Sequence, residues 1–243
     1  MTNTLSINID PKFVRTDEDI GEAVELWISD HVAAKKKYGH ISRWDTSRVT
    51  DMSDLFRERV KFNEDISGWN VSNVTSMRRM FYGAKSFNMP IGSWDVSKVE
   101  NMIDMFSCAE DFNQPIGSWN VSKVTNMNSM FFKATGFNQP INCWDTSMVT
   151  NMEAMFYRAT AFNQPIDSWE VSNVTSMRNM FYEAESFNMP IGSWDVSKVT
   201  EIQCMFCYAT SFNQPIGSWN VSNVTYMGGM FKGAKAFNQS IGD

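Results

Sequence analysis

The chain has 243 residues and a formal net charge of −6, from 21 basic and 27 acidic side chains. That balance argues against a nucleic-acid binder, which needs a basic footprint, and no run of about 20 apolar residues is present to cross a membrane as a helix. Four cysteines in a chain of this size fall short of the dense disulfide framework of small secreted domains, and the Cys204–Cys207 CxxC lacks a second ligand pair for zinc.

The chain opens MTNTLSINIDPKF, without the basic and apolar regions of a signal peptide, so the sequence alone allows a cytoplasmic protein. Leu5, Ile7 and Ile9 alternate with polar residues, which predicts a short strand. Thr16-Asp17-Glu18-Asp19 has a hydroxyl for an N-cap and acids for the first turn of a helix. Ile20, Ala23, Val24, Trp27 and Ile28 follow at helical spacing, and Gly39 is a stop signal. One helix or two short ones are expected from about Asp17 to Tyr38. Residues 1–43 read as an N-terminal helical cap, because the open end of a repeat stack needs a polar cover.

From Trp44 the chain repeats. Tryptophan recurs every 25 residues at Trp44, Trp69, Trp94, Trp119, Trp144, Trp169, Trp194 and Trp219, which divides residues 44–243 into eight coils without insertion. A fixed period of this size marks a stacked-repeat protein. Counting the tryptophan as slot 0, Ser holds slot 3, Val slot 5, Phe slots 12 and 18, Asn slot 19 and Ile slot 22 in all eight coils. In the second coil, Val74, Met77, Met80, Phe81 and Ala84 fall at steps of three and four, which predicts a helix of about three turns capped by Ser72 or Thr75. The Phe87–Trp94 segment carries Pro and Gly and predicts a turn and a short extended piece. Stacked coils would pair those pieces as a narrow parallel sheet, centred on slots 22–24 or on slots 0–2. The expected architecture is an α/β repeat solenoid with one short parallel strand and one helix per coil. A single coil buries too little apolar surface to offset its own ordering, so stability must come from its neighbours.

The columns invite functional readings. An in-register Asn column can bond turn backbone groups and the Asn of the next coil. Slot 1 alternates Asp and Asn (with Glu170), as turn residues do when they bond their own backbone; a cation row is the competing reading. Slot 6 carries Thr in every coil but that of Glu100, either as capping groups or as a regular array facing a glycan or crystalline surface. Slot 20 holds Gln114, Gln139, Gln164 and Gln214, and slot 13 holds Tyr82, Tyr157 and Tyr182; these are the candidate partner-binding residues.

Motifs of the form WDVSNVTSMRRMFYGAKSFNMPIGSW resemble the BspA-like surface-protein repeats. These are a 25-residue variant of the leucine-rich repeat found in bacterial surface proteins and in algal and protist proteins. The resemblance covers Trp44 to Asp243. It implies a leucine-rich-repeat-like solenoid, a role in binding or adhesion, no catalytic residues, and a cell-surface or secreted location.

No phosphate-binding Gly loop, HExxH or GxSxG is present. Repetition aligns like residues, whereas catalysis needs unlike residues to converge, so an enzyme is not expected and no cofactor or metal is implied. The leading expectation is a non-catalytic scaffold for a protein partner. The alternative is adhesin-like recognition of carbohydrate or another regular surface. The chain stops one residue before the next Trp is due, which predicts an uncapped end that either continues in the native protein or self-associates.

Overall fold

The computed structural model of the protein describes residues 10–241; the strand expected at Leu5–Ile9 lies outside them. Near the N-terminus, strand β1 (Val14–Thr16) pairs in parallel with β2 (Asp45–Arg48), Val14 opposite Asp45 and Thr16 opposite Arg48. Helices α1 (Ile20–Ser29) and α2 (His31–Tyr38) lie between them in the chain. Helix α1 starts later than its sequence signals suggest. Asp19 is its N-cap position, and the Asp19 carboxylate accepts the Thr16 N–H instead of capping the helix. Gly39 ends α2 at φ +75, a conformation that costs glycine little. The apolar stripe Ile20, Ala23, Val24 and Trp27 is buried on the end of the stack, with Trp27 edge-on to Trp44 at 6.2 Å. Arg15 is also buried, its guanidinium 4.4 Å from the Tyr38 ring centre and bonded to Asp19 and the Lys12 carbonyl.

The eight coils stack into an open solenoid with one continuous aromatic core. Phe81 meets Phe106 of the next coil at 5.6 Å and Phe87 of its own coil at 3.9 Å, and Phe87 stacks on Phe112 at 6.0 Å. The same spacings recur along the molecule, and Val, Met, Phe, Ala and Ile at slots 5, 8, 11, 12, 15, 18 and 22 are buried throughout coils 2 to 7.

Inside each coil the stretch expected as a helix is instead a run of turns; α-helix occurs among the described residues only in α1 and α2. Two features exclude a helix. The N–H groups at slots 11, 13 and 15 bond three residues back, as in Met80 to Met77, Tyr82 to Arg79 and Ala84 to Phe81. The N–H groups at slots 8, 10, 12 and 14 leave the coil and donate to the next one: Met77 to Asn101, Arg79 to Ile103, Phe81 to Met105 and Gly83 to Ser107, at 2.7–3.0 Å. Slots 10 and 14 have positive φ in every coil, as at Arg79 (φ 55) and Gly83 (φ 68). A left-handed residue cannot continue a right-handed helix but suits the third position of a type II turn. Apolar side chains at slots 8, 11, 12 and 15 still fall on one face, because successive three-residue turns keep the three-and-four spacing.

Parallel pairing centres on slot 7, from Asp51 with Ser76 through to Glu201 with Tyr226, and not on slots 22–24 or 0–2. The proline column stands outside this ladder, consistent with its missing N–H. All ladder N–H groups of slots 8 to 14 point toward the C-terminal end of the stack, and the carbonyls they meet point back.

Candidate functional site

Columns of polar side chains bond within and between the coils. The Asn113 N–H donates to Asn88 Oδ1 at 3.0 Å, and the same bond links Asn138 to Asn113 and Asn163 to Asn138. Asp95, Asp145 and Asp195 accept the N–H of Ser97, Ser147 and Ser197 two residues on, which is the turn-forming role of Asx residues. Hydroxyl and N–H donation from those serines holds each of these carboxyls below its ordinary value. Thr150 and Thr175 donate their hydroxyls to the carbonyl of the preceding threonine at 3.2 Å. Ser72 and Thr75 therefore serve turns and coil junctions; the helix they were expected to cap does not form. No group of three His, Cys, Asp or Glu side chains that could hold a metal ion occurs among the described residues.

The glutamines of slot 20 extend the asparagine ladder. The Nε2 groups of Gln114, Gln139, Gln164 and Gln214 donate to Asn88, Asn113, Asn138 and Asn188 Oδ1 at 2.9–3.0 Å. All four side chains are half-buried. The tyrosines of slot 13 lie on the run of turns. Phe132, Tyr157 and Tyr182 stack face to face at 4.6 and 4.5 Å, and Tyr208 closes the row edge-on at 6.1 Å. Tyr82 stands apart from this row, under the Arg57 guanidinium at 5.7 Å. Desolvation, with Tyr157 beside it, pushes the Tyr182 hydroxyl up to about 12. No hydrogen bond or ring contact joins the glutamines to the tyrosines among the described residues.

Around the tyrosines the turns carry a mixed-charge strip. Arg158 sits 5.6 Å from the Tyr157 ring centre and pairs with Glu183 through two bonds of 2.7 and 3.0 Å. Arg79 reaches Asp104 at 3.1 Å, and Arg178 lies 3.8 Å from Glu153. Slots 9 and 10 each show seven residue types in eight coils, and slots 13 and 14 six each. Sequence reasoning singles out the slot-13 tyrosines of this strip but not slots 9, 10 and 14, which a helix would spread around its circumference. The signal is the residue variety of slots 9, 10, 13 and 14 beside the single residue held at slots 5, 12, 18, 19 and 22.

Three overlapping stretches, residues 28–142, 90–189 and 132–243, match one family model, described as a Mycoplasma protein of unknown function, DUF285. A comparison with curated proteins gives no match. The matched stretches run from α1 through the last coil, and the chain belongs to the DUF285 family of tandem-repeat proteins.

Proposed function

We propose that the solenoid is a non-catalytic scaffold that binds a protein partner through its strip of turns. The observation that carries this reading is the division of the repeat. Slots 5, 12, 18, 19 and 22, which form the core and the asparagine column, hold one residue in all eight coils, while slots 9, 10, 13 and 14 differ from coil to coil. A constant frame presenting variable side chains suits recognition, since specificity needs a surface that is not periodic. Stacked tyrosines flanked by arginines supply the residue types that dominate binding energy at interfaces. The sequence resemblance to BspA-like repeats, with their binding and adhesion roles, supports the same reading.

Affinity capture from a whole-cell extract tests it. The baits are the intact chain, a Tyr157→Ser/Tyr182→Ser variant, and a variant with Gln114, Gln139, Gln164 and Gln214 changed to Ala. A protein held by the first and third and lost by the second supports the strip. Loss from the glutamine variant alone moves the binding face to slot 20.

The exposed, regular threonine column favours a second reading, adhesion to carbohydrate or another repeating surface. Its hydroxyls are already committed to backbone carbonyls, which leaves mainly methyl groups for a ligand. Retention on a glycan array by the intact chain and not by a Thr150→Lys/Thr175→Lys variant would favour this second reading.

A further inference from the structure

The four thiols of the chain are not equivalent. Cys143 is exposed and Cys108 half-buried, and each is the sole cysteine of its coil. Cys204 and Cys207 share the seventh coil, at slots 10 and 13. The Cys207 N–H donates to the Cys204 carbonyl at 3.1 Å, so the two are the first and fourth residues of one β-turn. Such a turn keeps its end Cα atoms within about 7 Å, and disulfides span about 4.4–6.8 Å. Side chains at these slots also meet across the same turn of the first coil, where Arg57 Nε lies 3.8 Å from Asp54 Oδ1. Burial, with the Cys204 thiol beside it, pushes the Cys207 thiol up.

The two sulfurs differ in access. Cys204 is half-buried on the strip, and its thiol donates to the Gly228 carbonyl at 3.6 Å. Cys207 is 2% exposed. It takes the slot where Tyr157 and Tyr182 stand in the two preceding coils, and Tyr208, the next residue, is the one set edge-on to Tyr182. An outer thiol that solvent reaches and an inner thiol that it does not are the two parts of a dithiol that attacks a disulfide and then resolves it.

We propose that Cys204 and Cys207 form a thiol–disulfide exchange site, which closes as an intramolecular disulfide at the expense of a small-molecule disulfide. The Cys204 thiolate attacks one sulfur of that molecule, forming a mixed disulfide and expelling one thiolate. The Cys207 thiolate then attacks the Cys204 sulfur. The Cys204–Cys207 bond forms, the mixed disulfide breaks and the second thiolate leaves. Two electrons pass from the pair to the small disulfide, and the two protons of the pair end on the two thiols released. The inference does not rest on the strip's partner, and no partner enters its test.

The test treats the reduced full chain with oxidised glutathione, alkylates the remaining thiols and maps them by mass spectrometry. The expected product links Cys204 to Cys207 with glutathione on neither, while Cys143, exposed and alone, stops at the mixed disulfide. A Cys207→Ser variant should hold glutathione on Cys204. A Cys204→Ser variant should leave Cys207 reacting at least about tenfold more slowly than Cys143. Slots 10 and 13 already carry serine at Ser129 and Ser107, so both variants keep the turn. Glutathione retained on Cys204 of the parent chain, or Cys204 and Cys207 both still alkylated once Cys143 has reacted, overturns the proposal.

Discussion

The Asp17 carboxylate accepts the Thr50 N–H at 2.7 Å and the Thr50 hydroxyl at 2.6 Å. In the next coil the Thr75 N–H goes to the Thr50 carbonyl at 2.8 Å. The Asp17 carboxylate thus stands where a preceding coil would place a peptide carbonyl.

This arrangement makes the junction acid-labile. Burial raises the Asp17 pKa, but the bonds from Thr50 and from the Asp51 N–H outweigh it, so the net value is lowered from 3.8. Asp65, Asp95, Asp145 and Asp195 are lowered by their serine partners. A carboxyl whose folded pKa is depressed contributes stability above its unfolded pKa and loses it as pH falls through the folded value. The melting temperature should therefore hold from neutral pH down to about 5 and drop below about 4, near the unfolded aspartate value. Asp17→Asn should shallow that drop in a pH series of thermal melts; an unchanged profile would remove Asp17 from the account.

Tryptophan columns predict unequal costs for one substitution. Trp144 Nε1 donates to the Ile116 carbonyl at 3.1 Å, whereas the buried Trp94 Nε1 has no partner. Trp144→Phe removes one of two bonds to the Ile116 carbonyl, which keeps the Trp119 N–H, and should cost about 0.5–1.5 kcal/mol beyond the packing loss. Trp94→Phe should cost the packing loss alone. Urea unfolding of the two variants measures the difference.

Left-handed slots predict a stabilising glycine. Ser129 is held at φ 55, a conformation that costs a non-glycine residue about 1–2 kcal/mol. Ser129→Gly removes that strain at an unfolded-state entropy cost of about 0.4–1 kcal/mol, for a net gain of roughly 0.5 kcal/mol. Ser129→Val, β-branched at positive φ, should lose at least about 1 kcal/mol. Both are read from urea midpoints.

Glutamine and tyrosine columns should respond differently to truncation. Each Gln→Ala at 114, 139, 164 or 214 removes a bond to the asparagine ladder and should lower stability by about 0.5–1 kcal/mol. Truncating Tyr157 or Tyr182 should weaken partner binding by roughly tenfold. Thermal melts and titration of the captured partner separate the two effects.

Much of the fold could be read from the repeat itself. The 25-residue spacing of Trp, the phenylalanine pair and the asparagine column required a stack with stacked side chains, and Asn113 on Asn88 forms the expected ladder. The helix per coil failed because Met77, Met80, Phe81 and Ala84 fit a helical stripe and a chain of turns equally well. The distinguishing clue lay in the outward slots. Asp54, Asp104, Asn179 and Gly229 at slot 10, with Gly83 and Gly233 at slot 14, are residue types that accept positive φ. Of the strip, only the slot-13 tyrosines were legible as a site; slots 9, 10 and 14 share a face with them only after the turns are known. Gln114 and its equivalents were visible as a column, but their commitment to Asn88 and its equivalents depends on a pairing that no single coil encodes.

The central claim is that the varying strip, and not the invariant columns, meets the partner. Amide hydrogen exchange of the full chain with the captured partner bound tests this most directly. The account predicts slowed exchange confined to the turns around Ser129–Lys133, Ala154–Arg158 and Asn179–Glu183. Slowed exchange along Asn113–Gln114, Asn138–Gln139 and Asn163–Gln164 or along the threonine column, with the turns unchanged, would contradict it.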